Sequence, residues 1–248
     1  MQAVILAGGT LSGSLKEAFP QLSNKAHVSI NGKMLIEYVL AAALSCRFIE
    51  KVFIVGDKDF LSMHIQDERV VILQDTGSVY DNFILAADCG QTDKMLLLTG
   101  DIPLLNALAL EDFVESCTAD REIYYSIVDK ATILQYDANG KRTYAKLGKN
   151  IFTGGNVFLV DVAAIRRIKP QVEAIFAKRK SVLALLNMVG IGLVLKYMFG
   201  TVQLADIEKC AGRILNSNVQ AVVCAHAAVG IDVDKVQDLE LVRRHLAK

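Results

Sequence analysis

Three groups of residues in this sequence have types and spacings suited to joint chemistry. The first is the loop Gly8-Gly9-Thr10, which follows the apolar run Ala3-Val4-Ile5-Leu6-Ala7 and continues through Ser12, Gly13 and Ser14. Paired glycines let a backbone approach a ligand closely, and successive N–H groups in such a turn form a concavity suited to phosphate oxygens. A ligand-free strand-to-loop turn would use the same residues. The second is Asp101, in Gly100-Asp101-Ile102-Pro103 behind the apolar run of residues 95–99. An unpaired carboxylate at the tip of a buried strand is costly, so its duty is to hold a cation or to cap a helix. Asn106 is better placed to cap the next helix, which favours a metal role for Asp101. The third is Asp232-Val233-Asp234. Two acids one residue apart project to the same side of an extended chain, where they could share a divalent cation with Asp101. Asp234 could equally cap the last helix.

The elements expected to position these groups alternate in type. Residues 3–7, 25–30, 52–55, 70–73, 95–99, 124–128, 157–160 and 219–224 read as strands. Residues 34–44, 108–117 and 235–246, and a stretch beginning near Asp81, carry apolar residues at helical spacing, and residues 162–215 read as helical. Repeated βα units predict an α/β fold: one domain with a mostly parallel sheet flanked by helices. Gly77-Ser78 forms a small-residue loop at a strand's carboxyl end, where open α/β sheets place ligands. Asn139-Gly140, between residues 134–136 and 143–145, predicts an inserted β-hairpin. Lys141, Arg142, Lys146 and Lys149 make it locally basic, as a solvated face or an anion site. Thr153-Gly154-Gly155-Asn156 brings a second glycine pair up to the strand at 157–160.

Composition narrows the function classes. Lys and Arg number 27, as do Asp and Glu, so no global charge points to nucleic acid. The five cysteines show no C-x-x-C spacing and fit reduced thiols. No charged segment followed by an apolar one opens the chain, which leads to a cytoplasmic expectation. Residues 181–195 carry no charge, yet fall short of the roughly 20 residues a membrane span needs. They read as a buried or partner-facing helix, so no membrane partner is expected and a homodimer stays open. The dinucleotide fingerprint, the P-loop and the serine-hydrolase elbow are all absent, which sets a dinucleotide-dependent oxidoreductase aside. His27, His64, His226 and His245 form no pair at ligand spacing.

Taken together, Leu6-Ala7-Gly8-Gly9, Asn24-Lys25, Gly32-Lys33, Gly77-Ser78, Leu98-Thr99-Gly100-Asp101-Ile102-Pro103-Leu104, Gly154-Gly155-Asn156 and Gly230-Ile231-Asp232-Val233-Asp234 resemble the MobA-like NTP transferases. The resemblance implies a Rossmann-like sheet of GT-A type, with residues 1–120 binding nucleotide and 121–248 binding acceptor. It implies that Leu6, Ala7, Gly8, Gly9 and Thr10 contact the NTP, with Gly77 and Ser78 near its base. Lys25 would steady the phosphates, with Lys16 in support, and Gly155 and Asn156 would face a small phosphorylated acceptor. Asp101 would hold Mg²⁺, with Asp232 or Asp234 as the second ligand. The implied reaction is Mg²⁺-dependent transfer of NMP from an NTP to the acceptor with release of pyrophosphate. Three positions depart from the family pattern. The glycine loop has Lys16 and no arginine, Asn24 replaces a proline before Lys25, and Met34 replaces one after Lys33. A weakened nucleotide-binding or partner-binding module of the same fold is the alternative.

Overall fold

The first apolar run forms β1 (Gln2–Leu6), whose Ala3, Val4 and Ile5 are fully buried. A strand of this composition must be covered on both faces. A computed structural model of the chain describes residues 1–138, 142–178 and 181–247. After β1 come α1 (Gly13–Ala18), the short antiparallel pair β2 (Ser29–Ile30) and β3 (Lys33–Met34), α2 (Leu35–Ser45), β4 (Lys51–Gly56), α3 (Lys58–His64) and β5 (Val70–Gln74). The chain continues through α4 (Val79–Cys89), β6 (Lys94–Thr99), α5 (Ala107–Ser116), β7 (Ile123–Asp129), α6 (Lys130–Tyr136), β8 (Ala145–Leu147) and β9 (Asn150–Asp161). Five helices follow: α7 (Val162–Arg167), α8 (Lys169–Lys178), α9 (Val182–Val189), α10 (Ile191–Met198) and α11 (Leu204–Leu215). Last come β10 (Val219–Cys224) and α12 (Val236–Leu246).

One sheet runs in the order β10-β7-β9-β6-β1-β4-β5, with β8 paired to β9. The pairs β1–β4, β1–β6, β4–β5 and β7–β10 are parallel, whereas β9 runs antiparallel to both β6 and β7. Strand alternation divides the core. Ala3, Ile5, Val52, Ile54, Leu96 and Leu98 pack with residues of α2, α5 and α12 on one face. Val4, Phe53, Val55 and Met95 pack with Phe83 of α4 and Ile168 beyond α7 on the other. From β1, one series of strands proceeds outward through β4 to β5, and β6 lies on the opposite side. That reversal is a topological switch point, where loops leaving neighbouring strands diverge and open a crevice. Leu6 and Thr99 are paired across it, so the glycine loop and Asp101 emerge side by side.

The structure relocates several expected elements. Residues 25–30 are not a continuous strand, because the Asn24 side chain accepts from the Ala26 N–H at 2.8 Å and starts a single 3₁₀ turn at Lys25–His27. Residues 134–136 end α6 rather than forming a hairpin arm, since Asp129 caps that helix by accepting from the Ala131 N–H at 2.7 Å. The Asn139-Gly140 turn lies outside the described residues; the antiparallel pair in this region is β8–β9. Residues 153–156 fall inside β9, which is longer than the expected strand. The uncharged stretch forms two helices, α9 and α10, separated at Gly190 with φ +90°. All five cysteines are free thiols. Among the described residues, no helix is long and apolar enough to cross a membrane.

At the amino end of β7, Glu122 ties three segments together. It accepts from the Ser217 hydroxyl at 2.7 Å, the Asn218 N–H at 2.9 Å and the Arg167 guanidinium at 2.7 Å. Those hydrogen bonds hold its carboxyl at about 2, below the ordinary 4.5. With the folded value depressed, the stabilisation is complete above the unfolded value and is lost as pH falls toward about 2. Glu122→Gln is expected to lower Tm at neutral pH, and thermal melts should show the gap to wild type closing as pH falls below 4.5.

Candidate functional site

The crevice beside β1 is a cavity of about 570 Å³, in the range of small-molecule sites. Leu6, Gly8, Gly9, Lys25, Gly77 and Asp101 line it together with Gly155 and Asn156 of β9. A Cβ on Gly8 would stand 2.6 Å from a carboxylate oxygen of Asp75, so glycine is what lets the loop pass this side chain. Asp75 in turn accepts from the Gly77 N–H at 3.0 Å and the Asn82 amide at 2.5 Å, which fastens the Gly77 turn to the start of α4. Tyr125 and Phe158 stack with ring centroids 4.8 Å apart on the sheet side of the cavity. A Cβ on Gly154 would clash with the Tyr125 hydroxyl oxygen, so that glycine makes room for the ring.

Where the crevice meets the last loop, one carboxylate oxygen each from Asp101, Asp232 and Asp234 lies within 4.8 Å of the others. Asp101 sits at the tip of β6, and the Thr99 hydroxyl donates to its carboxylate at 2.6 Å. Its backbone carbonyl accepts from the Val233 N–H at 2.9 Å, which fastens the last loop to the strand tip. Ile231 and Val233 are fully buried while Asp232 and Asp234 point to the opposite side, the alternation of an extended chain. Asp234 does not cap α12. Asp238 reaches back to accept from the N–H groups of Asp234 and Lys235 at 3.0 and 2.8 Å, leaving the Asp234 carboxylate free for the cluster.

Two cations lie among these three acids and offset part of their charge. The Lys25 ammonium lies 2.5 Å from both Asp101 and Asp234, and the Arg142 guanidinium is 2.7 Å from Asp232. Burial disfavours the charged form of Lys25, but the attraction of Asp101 and hydrogen bonds to Asp101 and Asp234 outweigh it and raise its pKa. For Asp232, burial and then the charges of Asp101 and Asp234 push the carboxyl up, against the pull of Arg142. Asp234 also loses solvation, yet its bond to Lys25 holds it below the usual carboxylate range. Arg142 further donates to the Gly230 carbonyl at 2.8 Å, so it also fixes the start of the loop. Oxygen ligands grouped this closely are of the kind a hard divalent cation takes.

The other expected site residues are placed less centrally. The Ala7 carbonyl accepts from the Asn24 amide at 2.6 Å, Thr10 bridges to Asn24, and the Ser78 hydroxyl caps α4 by accepting from the Asp81 N–H at 3.3 Å. Lys16 donates to the carbonyls of Pro20 and Leu22 at 2.9 and 2.6 Å, closing its own loop. A second cavity, which shares Tyr125, Gly155 and Asn156 with the first, is lined by Arg142, Asp232, Lys235 and Arg244.

A family model described as the MobA-like NTP transferase domain matches residues 3–147. The chain belongs to that family. Among solved structures, this MobA-like chain is similar to one described as a hypothetical transferase from Thermus thermophilus, at 33% identity and TM-score 0.85, covering 96% of this chain and 98% of the other. It also resembles a CMP:2-keto-3-deoxy-manno-octonic acid synthetase complexed with CTP, at 14% identity and TM-score 0.62, over 99% and 98% of the two chains. A third is the Francisella tularensis 2-C-methyl-D-erythritol 4-phosphate cytidylyltransferase, at 13% identity and TM-score 0.60, over 98% of each. At those identities the last two share the fold. A search of curated protein sequences finds no match.

Two residues of this MobA-like site escape a reading by motif. Asp75 follows the apolar strand β5 and passes for an ordinary loop residue, while Arg142 is hidden in a run of basic residues. Lys25→Met leaves Asp101 and Asp234 without their shared cation. It is expected to cost about 2 kcal/mol, below the cost of breaking a fully buried pair, because Asp234 is largely exposed. Thermal melts in EDTA should show the loss, and added Mg²⁺ should restore part of it.

Proposed function

We propose that this MobA-like chain is a Mg²⁺-dependent nucleotidyltransferase that moves an NMP group from an NTP to a small phosphorylated acceptor, releasing pyrophosphate. The observation that carries the reading is the carboxylate cluster of Asp101, Asp232 and Asp234 at the junction of two cavities. Its donors are hard oxygens that fit Mg²⁺, which when bound supplies neutralising charge to phosphate oxygens.

The remaining work is positioning. In phosphoryl and nucleotidyl transfer, bringing two anions into line and neutralising them accounts for most of the catalysis. Gly8 and Gly9 would admit the nucleotide close to the backbone, with Gly77 and Asp75 around its base. Lys25 would exchange its carboxylate partners for phosphate oxygens, as a compact, rotatable ammonium can. The cavity over Gly155 and Asn156 would take the acceptor, with Arg142, Lys235 and Arg244 as cations for its phosphate. Residues 1–120 then form the nucleotide half and 121–248 the acceptor half. CTP is the donor to test first, because the names of two solved structures with this fold include CTP or a cytidylyl group.

A second reading, a nucleotide-binding module without turnover, is favoured by one observation. Lys16, the nearest substitute for the glycine-loop arginine, is committed to carbonyls of its own loop. One experiment separates the two. Thermal shifts are measured with each of the four NTPs with and without Mg²⁺, and pyrophosphate is then assayed against a panel of sugar and polyol phosphates. One NTP at 100 times its Kd should add about 2.7 kcal/mol, and only with Mg²⁺. Asp101→Ala should abolish both that shift and pyrophosphate release while melting normally without ligand. Binding with no release across the panel would favour the module, and unchanged turnover in Asp101→Ala would overturn the metal assignment.

A further inference from the structure

Ile191, Leu195 and Met198 of α10 stand at i, i+4 and i+7 with exposures of 74, 44 and 74%, and Phe199, which ends the helix, is 78% exposed. Leu193 turns the other way and packs against Ile127, Leu147, Phe152 and Val202. The helix is therefore apolar on its outer face as well as its inner one. Large apolar side chains so exposed and contiguous mark a surface that meets something other than water. The face is held in place, because the Arg213 guanidinium donates to the carbonyls of Met188 and Val189 at 2.9 and 2.8 Å and so braces the end of α9. The one charged residue of α10, Lys196, is already paired with Asp206 of the same chain at 2.6 Å. With that charge neutralised, shape is what selects the partner.

The shape is complementary to itself. About Leu195 the outer positions fall into pairs: Ile191 and Phe199 lie four residues to either side, and Gly192 and Met198 lie three. The second pair sets a protruding methionine against a glycine where an added Cβ would meet nothing within 4 Å. In a two-fold contact residue i meets j while j meets i. We propose that two copies of this chain pack α10 antiparallel across a two-fold axis at Leu195. Met198 of each copy then fills the space over Gly192 of the other, and Ile191 of each lies against Phe199 of the other. The area agrees with this occupant. At roughly 200 Å² for a large side chain, Ile191, Leu195, Met198 and Phe199 together expose on the order of 500 Å². A standard interface takes about 800 Å² from each partner, of which about 65% is apolar in homodimers, so the ridge supplies the apolar share of one half.

The test is analytical ultracentrifugation of the full chain at micromolar concentration, beside the variants Gly192→Leu, Ile191→Glu and Phe199→Lys. Wild type should sediment as a dimer. Gly192→Leu fills the space that takes Met198 of the other copy. It should weaken association roughly hundredfold without lowering Tm, because that space is open in the single chain. Ile191→Glu and Phe199→Lys should each be monomeric, and mixing the two should restore a heterodimer. The two substituted positions then face each other with opposite charge, and the unaltered Ile191 and Phe199 still meet on the other side of the axis. A monomeric wild type would overturn the proposal, whether or not it floats with vesicles of phosphatidylcholine and phosphatidylglycerol. A dimer left intact by all three variants would overturn it by placing the contact elsewhere. A dimer lost in the single variants and not restored by mixing would overturn the antiparallel pairing.

Discussion

Three carboxylates held within 4.8 Å of one another would repel strongly, and the site exists because two cations from distant parts of the chain lie among them. Lys25 comes from the 3₁₀ turn beyond α1, Arg142 from the segment between α6 and β8, and the acids from the tip of β6 and the loop before α12. None of these segments neighbours another in sequence, so the cluster forms only when the whole sheet has assembled. Removing a cation from such a group leaves a poorly solvated, unpaired charge, which is far costlier than the modest net gain of making the pair. This asymmetry fixes the last loop, because the Val233 bond to Asp101 and the Arg142 bond to Gly230 both hold it against the strand tips.

Strand order determines where this can happen. With β1 between β4 and β6, the glycine loop and Asp101 leave adjacent parallel strands and the backbone opens between them. The antiparallel β9 then crosses beside β6 and brings Gly155 and Asn156 to the same crevice, where they line both cavities. Close approach is possible there because the residues over Tyr125 and Ser126 are glycines. The family model matches residues 3–147, and two of the three clustered acids lie beyond it.

The sequence exposes what depends on local chemistry. Buried parallel strands show as uninterrupted apolar runs, so β1, β4, β5 and β6 can be found within a residue or two. The grouping of Asp101 with Asp232 and Asp234 can be anticipated because an extended chain turns alternate residues to one side, and here Ile231 and Val233 fill the core between them. What stays hidden depends on competing caps and on distant partners. Residues 134–136 look like a hairpin arm until Asp129 is seen to start a helix ahead of them. Asp234 looks like a helix cap until Asp238 takes that task from four residues on. Lys16 stands where a phosphate-gripping residue would be sought, and only the folded loop reveals its bonds to Pro20 and Leu22. Arg142 is one of four nearby bases in the sequence, and what singles it out is an acid 90 residues away.

The central claim is that the carboxylate cluster is a divalent-cation site serving a bound nucleotide. The most direct measurement is an anomalous difference map from crystals grown with Mn²⁺ and a non-hydrolysable NTP analogue. The expected result is a single strong peak coordinated by Asp101 and at least one of Asp232 and Asp234, with the Lys25 ammonium moved onto a phosphate oxygen. Nucleotide bound in the crevice with no peak among these carboxylates, and with Lys25 still between Asp101 and Asp234, would contradict it.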